Sequence, residues 1–301
     1  LHATEHFERV HHVTYAGLRG ASFMGRLDIP FVFGPVGGGE HSPWRLRLGY
    51  HFSDLVFDTL RDLANLAVRF RLVMRTTFVH AAKVYVTSAE TFELIPRRYR
   101  DKAEIELAIA SDQRSPNRER SKPRTGSFRV IYCGRFVDYK GMFLGLPAFA
   151  ALLQRACPDA RLSMVGDGPR KKSWQRLATR LGIADSVDWL PWQPHEAMDA
   201  LYEAHDVMLF PSLHDSGGLV VLEALHIGLP VICLKLGGPG VIINSDCGRA
   251  IDVAGKSARN VIQEMADALI ELSDEKTRSS LADYATERCR EFTWHRKIER
   301  I

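Results

Sequence analysis

Three short clusters in this 301-residue chain bring cations or free backbone amides to the ends of expected strands, where each would suit a bound anion. Gly134-Arg135-Phe136-Val137-Asp138-Tyr139-Lys140-Gly141 places Arg135 and Lys140 in one strand-to-helix loop. Two cations beside a helix N-terminus form a site for a diphosphate, because the helix dipole and the free N–H groups add to the side-chain charges. Two solvated surface cations would read the same way. Val165-Gly166-Asp167-Gly168-Pro169 sets Gly166 and Gly168 after a strand, where backbone without a Cβ either approaches a ligand or simply turns. G-x-G is not completed to G-x-G-x-x-G, so this is no dinucleotide fingerprint.

The third cluster is the most specific, Pro211-Ser212-Leu213-His214-Asp215-Ser216-Gly217-Gly218-Leu219-Val220-Val221-Leu222-Glu223-Ala224. Asp215 falls in a loop after a strand, and Gly217 and Gly218 free the backbone at the start of the next helix. The N–H groups of Gly218, Leu219 and Val220 would then point at an anion. Glu223 lies too far inside an apolar helix to cap it, and a bare buried carboxylate is costly. A ribose diol, donating two hydroxyl hydrogen bonds, is one partner for it; a nearby Arg is the other. Gly237-Gly238-Pro239-Gly240 follows a further strand and either shapes the same pocket or forms a plain loop. Gly34-Pro35-Val36-Gly37-Gly38-Gly39-Glu40-His41-Ser42 resembles a phosphate loop, but Glu40 stands where GxxxxGK[ST] needs Lys, and a carboxylate there repels phosphate. An ATPase is excluded. The triple glycine still suits close approach across a cleft, and His11 and His12, at the start of a strand, are either ligand contacts at that edge or structural histidines.

The elements that position these residues alternate. Val10 to Tyr15 and Pro30 to Phe33 read as buried strands, Asp54 to Thr76 as one long helix, and Lys83 to Thr87 as a strand before a helix start at Ser88. In that long helix Asp54, Asp58, Arg61, Asn65, Arg69 and Thr76 recur near the 3.6 period, and Leu, Val and Phe fill much of the rest. With Arg69, Arg71 and Arg75 near its end it has the composition either to rest on an anionic leaflet or to pack on its own sheet. Gln113 to Ser127 is polar, basic and broken by Pro116 and Pro123, which is linker chemistry. Beyond it, strands are expected at Arg129 to Cys133, Arg161 to Val165, Val187 to Leu190, Val207 to Phe210 and Pro230 to Leu234, with helices between them. Such alternation implies a parallel sheet covered on both faces, with ligands outside the carboxyl ends of its strands. A charged, helix-forming tail begins near Thr277.

Composition agrees with a soluble α/β protein: 46% apolar and 25% charged residues exclude a disordered tail, a fibre or a small disulfide scaffold. The net charge of +4 divides into +5 over residues 1–126 and −1 over the rest. The five cysteines, Cys133, Cys157, Cys233, Cys247 and Cys289, show no metal-ligand spacing and read as reduced residues of a cytoplasmic protein. No apolar run is long enough to span a bilayer, and the chain opens on Leu1-His2-Ala3 with no signal peptide.

The series GRFVDYKG, MVGDGP, VDWLPW, DVMLFPSLHDSGGLVVLEAL and GLPVI, closing on Phe292-Thr293-Trp294, resembles the nucleotide-sugar-binding half of the family-four retaining glycosyltransferases. HHVTY, IPFVFGPVGGGE and KVYVTS resemble its first domain more loosely. The resemblance implies an α/β fold of GT-B type, two Rossmann-like domains with parallel sheets facing a cleft. It implies an acceptor-side domain over residues 1–112, short at its N-terminus by about a hundred residues. A linker over 113–127, a nucleotide-sugar domain over 128–290 and a C-terminal helix over 291–301 would follow.

Roles follow from the same resemblance. Arg135 and Lys140 would bind the donor diphosphate and offset charge on the departing nucleotide. Asp215, where the family has the first Glu of an E-x7-E pattern, would touch the donor sugar, and Glu223, the second carboxylate, the ribose hydroxyls. Gly218, Leu219 and Val220 would offer amides to the phosphates. Gly134, Gly166, Gly168 and Gly217 would shape the pocket, Leu190 would frame the base, and His12 or His11 would contact the transferred sugar. The implied reaction moves a sugar from a UDP- or GDP-sugar to the hydroxyl of an acceptor sugar, a lipid-linked sugar or a small molecule, with retention and without a metal. No cofactor beyond the donor and no nucleic-acid partner is implied. A nucleotide-sugar-binding remnant without transfer activity and a nucleotide-sugar 2-epimerase are the alternatives.

Overall fold

The computed structural model describes residues 5–13, 17–67, 72–111 and 126–300. Most of the expected linker, residues 113–125, lies outside them. Two parallel sheets organise the rest. The first has the order β1-β2-β3-β4, with β1 at Val10–His12, β2 at Phe31–Val36, β3 at Ala81–Val86 and β4 at Ala103–Ile105. β2 is buried along its whole length. Phe31, Phe33 and Val36 pack with Met74, Phe78, Val84 and Val86 into one core. β1 ends earlier than the sequence suggests, and residues 14–16 are not described.

The long helix expected from Asp54 to Thr76 is instead two. α1 runs Phe52–Leu66 and α2 runs Leu72–His80; Arg69 and Arg71 fall outside the described residues. The periodic polar stripe is real, but it faces inward. Asp58 and Asn65 are buried, while Phe52, Phe57, Leu60 and Leu63 are exposed. The inward face is held by ions: Arg61 Nη1 pairs with Asp58 Oδ1 at 2.9 Å, and Arg47 pairs with Asp62. α3, Ala89–Leu94, starts where the sequence places it, with Ser88 Oγ accepting from Thr91 N at 3.1 Å.

The second sheet contains β5 (Arg129–Cys133), β6 (Arg161–Val165), β7 (Val187–Leu190), β8 (Val207–Phe210), β9 (Val231–Leu234) and β10 (Gly248–Ile251). Its order is β10-β9-β8-β5-β6-β7, with every pair parallel. In chain order this is the doubly wound Rossmann arrangement, whose switch point falls between the first and fourth strands, here β5 and β8. β8 and β9 are buried throughout, as a central strand covered on both faces must be. α4 (Met142–Arg155), α5 (Lys171–Arg180), α6 (His195–Glu203) and α7 (Leu219–His226) supply the crossovers. β10 and the helix α9 (Ala258–Ser273) are elements the sequence reading did not place, whereas α10 (Glu275–Arg290) begins beside Thr277, where a charged helical tail is expected. The Gly237 cluster forms a short helix, α8 (Gly237–Ile242), where a loop was expected.

The chain then returns. α11, Trp294–Arg300, packs on the segment that leaves the first sheet: Lys297 Nζ donates to the carbonyls of Leu107 and Ile109, and Tyr85 Oη donates to Arg300 O at 3.0 Å. Among the described residues no helix is long and apolar enough to cross a membrane.

Candidate functional site

The site is built at the switch point, from the loops that leave β5 and β8. Leu213 N donates to Tyr139 O at 2.8 Å, which ties the two loops together. Gly141 sits in the left-handed region with φ 74°, and a Cβ there would strike the carbonyl oxygen of Pro211. Only glycine lets the start of α4 come this close to the end of β8. The same device joins β5 to β6: Gly166, φ 136°, lies against the Gly134 carbonyl, while Gly134 N donates to Val165 O at 3.0 Å. Gly166 N in turn donates to Leu190 O at 3.1 Å, so Gly134, Gly166 and Leu190 mark three adjacent strand ends. Gly168 packs on the Phe136 backbone.

Lys140 and Asp215, 75 residues apart in sequence, form an ion pair with Nζ 2.5 Å from Oδ2. The Lys140 ammonium also lies 4.8 Å from the centre of the Phe210 ring. The other carboxylate oxygen, Oδ1, accepts from Gly218 N at 2.9 Å and Gly217 N at 3.2 Å. Gly218 is the N-cap of α7 at φ 78°, and its amide is therefore taken by Asp215. Leu219 and Val220 follow as the first two helical residues, whose N–H groups have no intrahelical acceptor. Arg135 is exposed and, among the described residues, has no ion-pair partner; its charge reaches Tyr139. Arg135, Lys140, Asp215 and the start of α7 thus converge on one strand-end edge.

Glu223 lies one turn into α7 and has the partner that its burial requires, though it is not Arg. Tyr202 Oη, buried on α6, donates to Oε2 at 2.9 Å, and His195 Nδ1 is 3.7 Å from Oε1. Burial beside Cys133 and Glu223 pushes the Tyr202 phenol well above its usual range, so it stays a donor. Among the described residues no hydroxyl donates to Oε1.

The first domain meets these loops with its glycine run. A Cβ on Gly37 would lie 3.1 Å from Ser216 Cβ, and Glu90 Oε1 accepts from Gly237 N at 3.0 Å. Glu40 organises the run. Its carboxylate accepts from Gly38 N at 2.7 Å and from the hydroxyls of Thr87, Ser88 and Thr91 at 2.8–2.9 Å. Burial opposes its charge, yet the amides of Glu40 and Gly38 and the hydroxyls outweigh it and hold the carboxyl below its ordinary value. The histidines behave differently from one another. His11 Nε2 bonds the Gly34 carbonyl at 2.7 Å, whereas His12 packs edge-on against Phe33 and keeps a buried Nδ1 without a partner. Among the described contacts none joins His12 to the loops after β5 or β8.

Two contributions escaped the sequence reading although their residues stood inside the quoted clusters. Asp138 is buried in the loop between Arg135 and Lys140. It accepts from His51 N at 2.7 Å and is ion-paired with Arg170, whose Nε lies 3.0 Å from Oδ1, and Arg170 also pairs with Asp54 on α1 at 3.0 Å. His214, the neighbour of Asp215, stacks edge-on with Tyr139 at 5.6 Å between ring centres.

A doubly wound Rossmann sheet facing a second parallel sheet, with strand-end loops from both closing on one cleft, is the GT-B architecture of sugar-transferring enzymes. The Anabaena protein HepE in complex with UDP superposes with a TM-score of 0.63 at 20% identity, over 90% of this chain and 70% of that one. Sucrose-phosphate synthase from Thermosynechococcus elongatus gives 0.61 at 20% identity, over 98% and 72%. A family model described as glycosyl transferases group 1 matches residues 113–288, and the chain belongs to that family. Among curated proteins it is similar to D-inositol 3-phosphate glycosyltransferases. The Corynebacterium urealyticum protein is 33% identical over 185 residues, 58% of this chain and 42% of that one. The Corynebacterium glutamicum protein is 30% identical over 204 residues, 64% and 47%. The match thus spans about half the length of these relatives, or less.

Proposed function

We propose that this chain moves a sugar from a nucleotide diphosphate sugar, UDP- or GDP-linked, to an acceptor hydroxyl, with retention and without a metal. The observation that carries the reading is the convergence, at the β5/β8 switch point, of Arg135 and Lys140 with the amide-rich start of α7. Arg135 and Lys140 would hold the diphosphate and stabilise the charge that grows on it as the sugar leaves. Leu219 and Val220 supply amides to the same oxygens. Glu223, already oriented by Tyr202, keeps Oε1 for a ribose hydroxyl. Leu190, at the end of β7, frames the base. Asp215 touches the transferred sugar once a phosphate competes for Lys140. His12 would contact that sugar from the first domain.

The bound UDP in the HepE complex and the glycosyltransferase names of the curated relatives support this reading. The acceptor is a sugar, a lipid-linked sugar or a small molecule, and the exposed apolar face of α1 supports peripheral contact with a membrane that carries such lipids. The test is Arg135→Ala and Lys140→Ala, assayed for binding of UDP and GDP and for consumption of UDP- and GDP-sugars. Each should lose transfer by ~2.7–4 kcal/mol in the barrier, or ~10²–10³ in kcat, by analogy with a preorganised donor to a developing anion. Unchanged binding and transfer in both variants would refute the reading.

A further inference from the structure

α6 presents two side chains to one carboxylate. His195 and Tyr202 lie about two turns apart on it and therefore share a face. Tyr202 is buried and donates to Glu223 Oε2 at 2.9 Å. His195 opens the helix with 56% of its side chain exposed and its Nδ1 3.7 Å from Oε1. That gap is too long for a hydrogen bond, and among the described residues neither ring nitrogen of His195 has another partner. Oε1 is open as well. Glu223 keeps 18% of its side chain in contact with solvent, and Oε1 is not one of the enclosed atoms that lack a partner. A ligand can reach both groups from solvent without moving either.

The fold sets where His195 stands. β7 ends at Leu190, whose carbonyl accepts from Gly166 N at 3.1 Å, and Pro194 caps α6 with extended backbone. Only Pro191 to Pro194 separate Leu190, assigned to the base, from His195, and His195 faces Glu223, assigned to the ribose. The spacing selects the ligand group. An acceptor and an imidazole nitrogen held 3.7 Å apart, with no bond between them, suit two hydroxyls on adjacent carbons. One hydroxyl donates to the carboxylate. The other donates to the ring or accepts from it, according to the tautomer. A phosphate in the same place would meet Glu223 as a like charge.

We propose that Glu223 and His195 divide the ribose diol, one hydroxyl to each, and that the site thereby selects ribonucleotide donors over deoxyribonucleotide ones. The inference rests on the transferase reading above and adds to it a second residue for the ribose. A site built to bond a hydroxyl rejects the analogue that lacks it, because its own polar group is left unpaired.

The full chain is titrated calorimetrically with UDP and GDP, and whichever binds is compared with its 2′-deoxy and 3′-deoxy forms. In the parent each deoxy form should bind about tenfold more weakly, the loss of one hydrogen bond. His195→Ala should bind the ribonucleotide about fivefold to tenfold more weakly and lose the penalty for one of the two hydroxyls. The other penalty, carried by Glu223, should stay. His195→Asn, which keeps a polar group near the Nδ1 position, should retain part of the penalty that His195→Ala loses. The ring is more than half exposed, so the thermal midpoints of both variants should match the parent. The proposal is overturned if the parent binds the deoxy forms as tightly as the ribonucleotide, or if both penalties survive in His195→Ala. It is also overturned if both penalties vanish there, which would make His195 a support for Glu223 and not a contact of the sugar. Failure of both UDP and GDP to bind the parent would instead refute the transferase reading, and this proposal with it.

Discussion

Asp215 is saturated by its own surroundings, with one oxygen on Lys140 and the other on the Gly217 and Gly218 amides. A side chain one methylene longer would not fold back onto those amides as readily, so the choice of Asp over Glu gives the loop a staple as well as a charge. Its neighbour His214 pays the opposite penalty, since it is buried neutral. The sign of its linkage is definite. The unfolded imidazole titrates near 6.5 and the folded one at about 4, so the unfolded state binds more protons between those values and stability falls as pH drops through that window. Between pH 7 and 4 the parent should lose about 3 kcal/mol more than His214→Gln, measured by urea unfolding at each pH. Asp58 and Asp138, both raised by burial, act with the opposite sign, and the comparison with the variant cancels them. Equal losses in the two proteins would show that His214 is not held neutral by the fold.

α1 is amphipathic with its faces reversed relative to the usual expectation for a helix beside a sheet. Its charged stripe forms a buried ion network with Arg47, Ser42 and Tyr50, and its apolar stripe is bare: Phe52, Phe57 and Leu60 are 76%, 69% and 61% exposed. Each such side chain would gain about 1.5–3 kcal/mol on leaving water, which a bilayer interface supplies. The parent should therefore sediment with anionic vesicles at low salt. Phe57→Asp with Leu60→Asp should lower the bound fraction several-fold while leaving the thermal midpoint unchanged, because neither side chain contributes to the core. A parent that stays in the supernatant dismisses membrane contact.

Across the whole molecule the two domains are fastened beside the candidate site as well as by α11. Arg170 bridges Asp138, in the diphosphate loop, to Asp54 at the start of α1. At Asp54 burial works against the carboxylate, but the hydrogen bond and charge of Arg170 outweigh it and hold the pKa down. Arg170→Met leaves Asp138 buried beside Asp54 without a counter-charge and should cost about 3 kcal/mol. Because the bridge joins the domains, the variant should also unfold in two steps, followed by urea titration with circular dichroism. Asp54→Asn, at a more exposed position, should cost less than about 1 kcal/mol. A single unshifted transition in Arg170→Met would show that the bridge does not couple the domains.

The strand-end motifs were legible in the sequence because the information they carry is local. A short apolar run ending in glycine specifies a buried strand and a turn that needs φ above zero, and the strands at Arg129–Cys133 and Arg161–Val165, followed by Gly134 and Gly166, fall where that logic puts them. The cap at Ser88 and the alternation of strands with helices are local in the same sense. What the tertiary structure alone decided is which polar group meets which. Lys140 with Asp215, Tyr202 with Glu223, and Arg170 with Asp54 and Asp138 are partners separated by tens of residues, and nothing in their own stretches names them. The orientation of α1 belongs to the same class. A 3.6-residue period marks two faces, but which of them is covered depends on the charges that the rest of the fold sets against it.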